Sequence, residues 1–577
     1  MNNFIAKDYV NRYVILGFIA WTIITCFSRL GDAPIYIGHE AREGIYVRAM
    51  FDTGNFILPE VPNHVDAGEI VPDKPPLFHW IAIGTTIVRS IITTGRLQSR
   101  RTLSREFVDE WSLRFPSAIC GFITVFSIII LGRKFISKRA AFISAACLLT
   151  SWMFIHQSRY GRVDMTMTCF VTMTMLFAGY AIIAPAKWYL LVAAAMSGLA
   201  VLAKGPLLGL VMPGFAGLVW VMLEFRRRRS IRWLGQFPWV LGLLVWVLVA
   251  LSWYLEAYHL RGMAVVRSQL IQENLVQEVL GLGFQRRNFY YIVPWLLNSI
   301  PWNLLALAGI WEAWRRRDRG ALFCAVWFLS FMVVFQAAAF KQQHYLLPTL
   351  PASSMLAGYW LDIKLPALGE TLNLIISWLR VRWKYLALSV LITSAIGGYI
   401  VSLPFVTALA GIRVPLNEGV ITGASLTLLA VAVGCMIHAF RMHRAWLFLL
   451  SLWFGLSVFF LGIVVSGEIV TALKLSPLPL VKHILHDLPS NESITLRNVF
   501  MDKLVLFYFP DPDRIHVTPD GTPMPKAFAS GYYLFSQKEF DNIRKVMPKD
   551  VWEKIWVDLL NGRDKPETVV MVRKSVP

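Results

Sequence analysis

Residues 116–132 read PSAICGFITVFSIIILG, and Arg133-Lys134 follow at once. Seventeen residues without a charge suffice for a helix to cross the hydrocarbon core of a bilayer. A basic pair directly behind marks the end that stays on the cytoplasmic side. The pattern recurs. Apolar stretches of spanning length lie at roughly 13–30, 116–132, 139–156, 165–184, 188–203, 206–224, 235–255, 290–313, 320–339, 345–362, 385–404, 419–439 and 445–466, thirteen in all. With Lys7 and Arg12 placed inside, the dense basic runs behind the later spans fall inside too, including Arg226 to Arg229, Arg315 to Arg317, and Arg380 with Arg382 and Lys384. An odd count puts the tail outside. The expected architecture is therefore an all-α polytopic membrane protein. Residues 1–466 form the membrane domain, with a long first outer loop at 31–115, and 467–577 form a small α/β domain outside. Within that loop, Glu40 to Phe51 reads as a helix, and Leu77 to Thr94 as an apolar segment in or along the membrane. Residues 365–382 read as an amphipathic helix on the inner surface. In the tail, Leu504–Phe509 and Thr568–Val572 read as strands, and Gln537–Val546 and Lys549–Leu560 as helices.

Composition agrees. Of 577 residues, 56% are hydrophobic and 16% charged, against about 25% charged in a soluble domain. The mean hydropathy is +0.54. The net charge of +20 sits in loops between apolar stretches, without a zinc pattern or recognition-helix motif, so it reads as topology and not as nucleic-acid binding. The six cysteines lie in or beside apolar stretches and none forms C-x-x-C, so neither a disulfide nor a zinc site is expected.

Polar residues beside spans are costly unless paired or wet, which makes them functional candidates. On the assigned topology they gather at the outer face. Lys74, Arg159, Arg162, Lys204 and Lys341 have the charge to hold an anion such as a lipid phosphate, with Arg42 beside them. Glu40, Asp73, Asp164 and Glu273 have the chemistry to position or deprotonate a hydroxyl or amine nucleophile. Tyr345, next to His344, can line a sugar or lipid groove. Together they suggest group transfer from a lipid phosphate to an acceptor. A divalent cation on paired acidic residues stays open, because lysine and arginine suffice for a phosphate. A lipid transporter or flippase is the competing class, but it usually needs a polar path and repeat symmetry.

Several segments resemble one family. These are His39-Glu40-Ala41-Arg42, Gly54-Asn55-Phe56, Asp73-Lys74-Pro75-Pro76-Leu77-Phe78-His79-Trp80, Leu113-Arg114-Phe115-Pro116, Ala203-Lys204-Gly205-Pro206 and Lys341-Gln342-Gln343-His344-Tyr345. In this order, over about residues 10–360, they are similar to the bacterial protein-mannosyltransferase-like glycosyltransferases, and among these to the aminoarabinose transferases that modify lipid A. The resemblance implies a GT-C fold, a polyprenyl-phosphate sugar donor and inverting transfer on the periplasmic side of the inner membrane. It implies a lipid or glycan acceptor, lipid A or lipopolysaccharide first, with cell-wall glycan or a protein hydroxyl as the alternative. Asp73 and Lys74 match the acidic-lysine pair near the donor phosphate, Asp164 an acidic residue of the cavity, and Tyr345 a tyrosine near the phosphate. Where the family usually has Asp-Glu in the first loop this chain has His39-Glu40, leaving Glu40 or His39 for the catalytic role or, if neither takes it, a non-catalytic member. Glu273-Asn274 stands where the aminoarabinose relatives tend to have Glu-His.

Overall fold

The structure, a computed structural model, describes residues 8–59, 74–183, 186–267, 289–338, 341–379, 445–497, 502–518, 528–547, 552–561 and 566–574, with isolated positions between. The expected spans at 385–404 and 419–439 lie outside them, as do Asp73 and Glu273.

Helices come first along the chain: α1 (Asp8–Phe27), α2 (Gly38–Thr53), α3 (Leu77–Thr94), α4 (Glu110–Ser127), α5 (Lys138–Leu149), α6 (Trp152–Gln157), α7 (Val163–Ile183), α8 (Tyr189–Lys204) and α9 (Met212–Arg228). They continue with α10 (Trp239–Arg261), α11 (Ile292–Asn298), α12 (Trp302–Arg316), α13 (Arg319–Ala337), α14 (Leu350–Leu379) and α15 (Ala445–Leu475). The tail adds α16 (Leu478–Asp487), α17 (Asp502–Tyr508), α18 (Gln537–Val546) and five strands, β1 (Ile494–Arg497), β2 (Ile515–Thr518), β3 (Gly531–Ser536), β4 (Trp552–Asn561) and β5 (Pro566–Lys574).

This is a multi-pass membrane protein. Among the described residues, six helices are long and apolar enough to cross a bilayer, or seven if the bent pair α11 and α12 is one span. That pair bends by 109° at a break holding the cis Ile300–Pro301 bond. The structure refines one expectation and changes two. The apolar stretch 139–156 is split into α5 and α6, because Thr150 and Ser151 bond back to the Ala146 and Cys147 carbonyls and the Trp302 indole donates to Thr150 Oγ1 at 2.8 Å. Leu77–Thr94, read as an apolar segment of the first loop in or along the membrane, is a helix of spanning length. The surface helix expected at 365–382 is the continuation of α14, which runs unbroken from Leu350 to Leu379.

The chain forms two compact units. The first holds residues 1–30, 74–78 and 114–468. Its core is aromatic and aliphatic, with Phe154, Phe323, Trp327, Phe331 and Met355 all but inaccessible. The second holds 31–73, 79–113 and 469–577, so the first-loop helix α2 shares a hydrophobic core with the tail. Val47, Met50 and Phe51 of α2 pack with Phe507, Ile494 and Leu534.

The tail sheet has the order β2-β1-β3-β5-β4. β1 runs parallel to β2 and β3, while β5 is antiparallel to β3 and β4. Thr568–Val572 is a strand and Gln537–Val546 a helix, as read from sequence. The other two tail elements exchange type. Leu504–Phe509 falls mostly in helix α17, whose Leu504, Val505 and Phe507 are buried. Lys549–Leu560 contributes strand β4, because its partner β5 supplies a ladder from Trp552↔Lys574 to Asn561↔Pro566 that local pattern does not reveal.

Candidate active site

In the first unit the site is built where α7 and α8 turn back on each other. Asp164 sits in the first turn of α7, where an anion complements the helix dipole. Lys204 is the last residue of α8, where a cation does the same, and Gly205 ends that helix at φ 110°, a backbone angle that favours glycine. Because a short connection joins the two helices, the beginning of one meets the end of the other. Lys204 Nζ lies 2.5 Å from Asp164 Oδ1, and both side chains are buried. Arg162 Nε stands 3.4 Å from Asp164 Oδ2, and its carbonyl accepts from Ser117 Oγ at 3.1 Å.

The turn Gln343–Thr349 closes the cluster. His344 Nε2 lies 3.8 Å from Asp164 Oδ1 and 3.2 Å from Arg162 Nη2. Lys204 Nζ lies 4.1 Å from the centre of the Tyr345 ring. Two full cations against one carboxylate leave the cluster one positive charge in excess, which suits it to an anion.

Arg159 and Lys341 are engaged otherwise. Arg159 Nη1 donates to the Thr25 carbonyl at 3.2 Å, and its Nε lies 3.6 Å from Glu468 Oε2. Lys341 Nζ donates to the Ala338 carbonyl, and burial lowers its pKa from the usual lysine value. Lys74 is half-buried just before α3.

The second unit holds the first-loop candidates at the start of α2. Glu40 is fully buried there and His39 is exposed. One turn on lies a group that sequence reading passed over. Glu43 Oε2 is 2.6 Å from His79 Nε2, and Glu43 Oε1 is 3.2 Å from Arg42 Nη2. Burial alone would raise the Glu43 pKa, but the His79 hydrogen bond and the Arg42 charge outweigh it and hold the carboxyl at about 2. Its signal was the spacing, since Glu43 follows Glu40 by three residues on the same helix. A second group links loop and tail within this unit. Tyr508 Oη donates to Glu110 at 2.5 Å and accepts from the Ile35 amide at 2.6 Å. Burial and the Glu110 charge push the Tyr508 phenol well above its usual pKa.

Comparison with known proteins extends this picture. The dolichyl-phosphate-mannose-protein mannosyltransferase profile matches residues 103–253. A protein of Aquifex aeolicus is 27% identical over 372 residues, covering 64% of this chain and 68% of that one. The undecaprenyl phosphate-alpha-4-amino-4-deoxy-L-arabinose arabinosyl transferase 1 of Pseudomonas fluorescens is 25% identical over 378 residues, 61% of this chain and 59% of that transferase's length. The crystal structure of ArnT from Cupriavidus metallidurans bound to undecaprenyl phosphate superimposes with a TM-score of 0.70 at 18% identity, covering 97% of this chain and 98% of that one. The chain is similar to the aminoarabinose transferases in sequence and shares the ArnT fold. That likeness covers 97% of the chain, so the shared fold spans loop and tail as well as the helices.

Proposed function

We propose that the protein is an integral-membrane glycosyltransferase that takes a sugar from a polyprenyl-phosphate donor and passes it to a periplasmic acceptor, lipid A or lipopolysaccharide first. The surplus cation around Asp164 carries this reading, because it lies on a fold shared with a protein solved with undecaprenyl phosphate bound. Arg162 and Lys204 hold the donor phosphate, with Lys74, Lys341 and Tyr345 as further partners, and Asp164 keeps the two cations in place. Glu40, buried at the start of α2, takes the proton of the acceptor hydroxyl or amine. The new bond forms at the anomeric carbon as its bond to the phosphate oxygen breaks, and polyprenyl phosphate leaves with the electron pair. His39 is the alternative base, and Arg42, Asp73, Arg159, Glu273 and His344 complete the proposed set. This end of the membrane domain and the tail from 467 face the periplasm in this proposal.

The test is release of polyprenyl phosphate by purified protein given a panel of polyprenyl-phosphate sugars and lipid A, with and without EDTA. Glu40→Gln is expected to lower turnover by about 10²–10⁴. Loss only in His39→Ala moves the base to His39. No release from any donor by folded protein would sink the transferase reading.

A further inference from the structure

Two helices of the first unit end in the same device. Near the end of α9 the sequence is Glu224-Phe-Arg-Arg-Arg-Arg229, and near the end of α12 it is Glu312-Ala-Trp-Arg-Arg-Arg317. Both glutamates are buried. Glu224 Oε2 accepts from Arg227 at 2.9 Å and Arg228 at 2.7 Å, and Glu312 Oε1 accepts from Arg315 at 2.6 Å and Arg316 at 2.5 Å. In each case the second oxygen faces a cation of another helix: Arg319 at 3.1 Å for Glu224 and Lys364 at 3.7 Å for Glu312. Each helix then stops on an arginine in the left-handed conformation, Arg229 at φ 54° and Arg317 at φ 53°. That position normally takes glycine. The chain keeps a long cationic side chain where a helix end alone would favour none.

The two devices adjoin, because Arg319, bonded to Glu224, follows Arg317 by two residues. Around them, Arg226 to Arg229, Arg315 to Arg317, Arg319 and Lys364 make nine cations against three carboxylates, Glu224, Glu312 and Asp318. Apolar stripes lead up to this charge. Leu218, Met222 and Phe225 are exposed along one face of α9, and Leu304, Leu307, Trp311 and Trp314 along one face of α12. Trp311 and Trp314 are 62% and 64% exposed with ring centroids 5.3 Å apart, the place and type of side chain that suits a membrane interface.

We propose that this end of the first unit is a headgroup site for anionic phospholipid. The phosphodiester sits on Arg226, Arg229 and Arg317, and the acyl chains lie along the two apolar stripes. The stripes are what a free phosphate would not need and a bilayer lipid does. The site is independent of the transferase reading, so the failure of either leaves the other standing.

The left-handed arginines allow a clean test. Arg229→Gly with Arg317→Gly removes two cations at positions where glycine is the preferred residue, so the melting temperature without lipid should stay equal or rise. Full-length protein in neutral detergent is titrated with phosphatidylglycerol, with phosphatidylcholine and with inorganic phosphate, and lipid retention and melting temperature are read. Wild type should retain phosphatidylglycerol in preference to phosphatidylcholine and gain thermal stability only from the former. The double variant should bind it about thirtyfold more weakly, roughly fivefold for each cation. A control, Arg544→Gln with Lys545→Gln in the tail helix, should bind as wild type does. Equal stabilisation by phosphatidylcholine or by inorganic phosphate, or unchanged retention in the double variant, overturns the proposal.

Discussion

Asp164 and Lys204 are forty positions apart in sequence and 2.5 Å apart in space. Each was visible in the sequence as a costly charge beside a span, but their pairing was not, because it depends on how α7 and α8 pack. Breaking a buried pair from one side leaves an uncompensated charge. Lys204→Met leaves Asp164 with Arg162 alone and should therefore cost on the order of 3 kcal/mol, read as a fall in detergent melting temperature. Asp164→Asn leaves Lys204 and Arg162 both without their carboxylate, so it should cost at least as much and should also weaken donor-phosphate turnover. The Glu43–His79 pair makes a prediction in pH. A carboxyl held near 2 in the folded protein, against 4.5 for an unperturbed glutamate, adds stability that is complete above about 4.5 and is lost as pH falls toward 2. The size is on the order of 3 kcal/mol. In His79→Ala the hydrogen bond that lowers the pKa is gone. Hydrogen exchange of the α2 amides should then show acid opening at higher pH than in wild type; an unchanged midpoint would refute the assignment.

At the level of elements, close helix approach depends on small residues. A Cβ on Gly358 of α14 would stand 2.2 Å from Ser144 Oγ and 2.7 Å from the Ala140 carbonyl of α5. A Cβ on Gly309 of α12 would stand 2.2 Å from the Leu356 carbonyl of α14. Packing of this kind replaces hydrophobic driving force in a membrane. Gly309→Ala or Gly358→Ala should each cost about 1–3 kcal/mol, seen as lowered thermal stability in detergent. Element type was legible where an apolar run is long enough to span, as in α7 and α10, or where the helical period is strong, as in α18. It was not legible for β4, since Trp552–Asn561 carries no alternation strong enough to exclude a helix and takes its conformation from β5. Likewise 139–156 is apolar throughout, and only the side-chain bonds at Thr150 and Ser151 divide it.

On the scale of the whole molecule, the first-loop helix and the tail form one core although some four hundred residues lie between Phe51 and Val481. Gly44 of α2 faces Phe507 so closely that a Cβ would lie 2.5 Å from its ring, and Arg48 donates to the Phe507 and Val108 carbonyls. Truncation after Leu475 should therefore expose α2 to proteolysis and abolish transfer, although no proposed catalytic residue lies in the tail. Protection of α2 in the truncated protein would contradict this. By itself the sequence determined that the chain lives in a membrane, that its charges crowd the ends of spans, and that His39-Glu40, Lys74, Asp164, Lys204 and Tyr345 were the residues to examine. Span length, charge placement and residue type are local properties, and a linear reading captures them. The tertiary structure alone decided which charges neutralise one another, that Glu43 and His79 form a buried pair, and that loop and tail share a core. Those outcomes depend on distances between segments far apart in the chain, and only packing sets such distances.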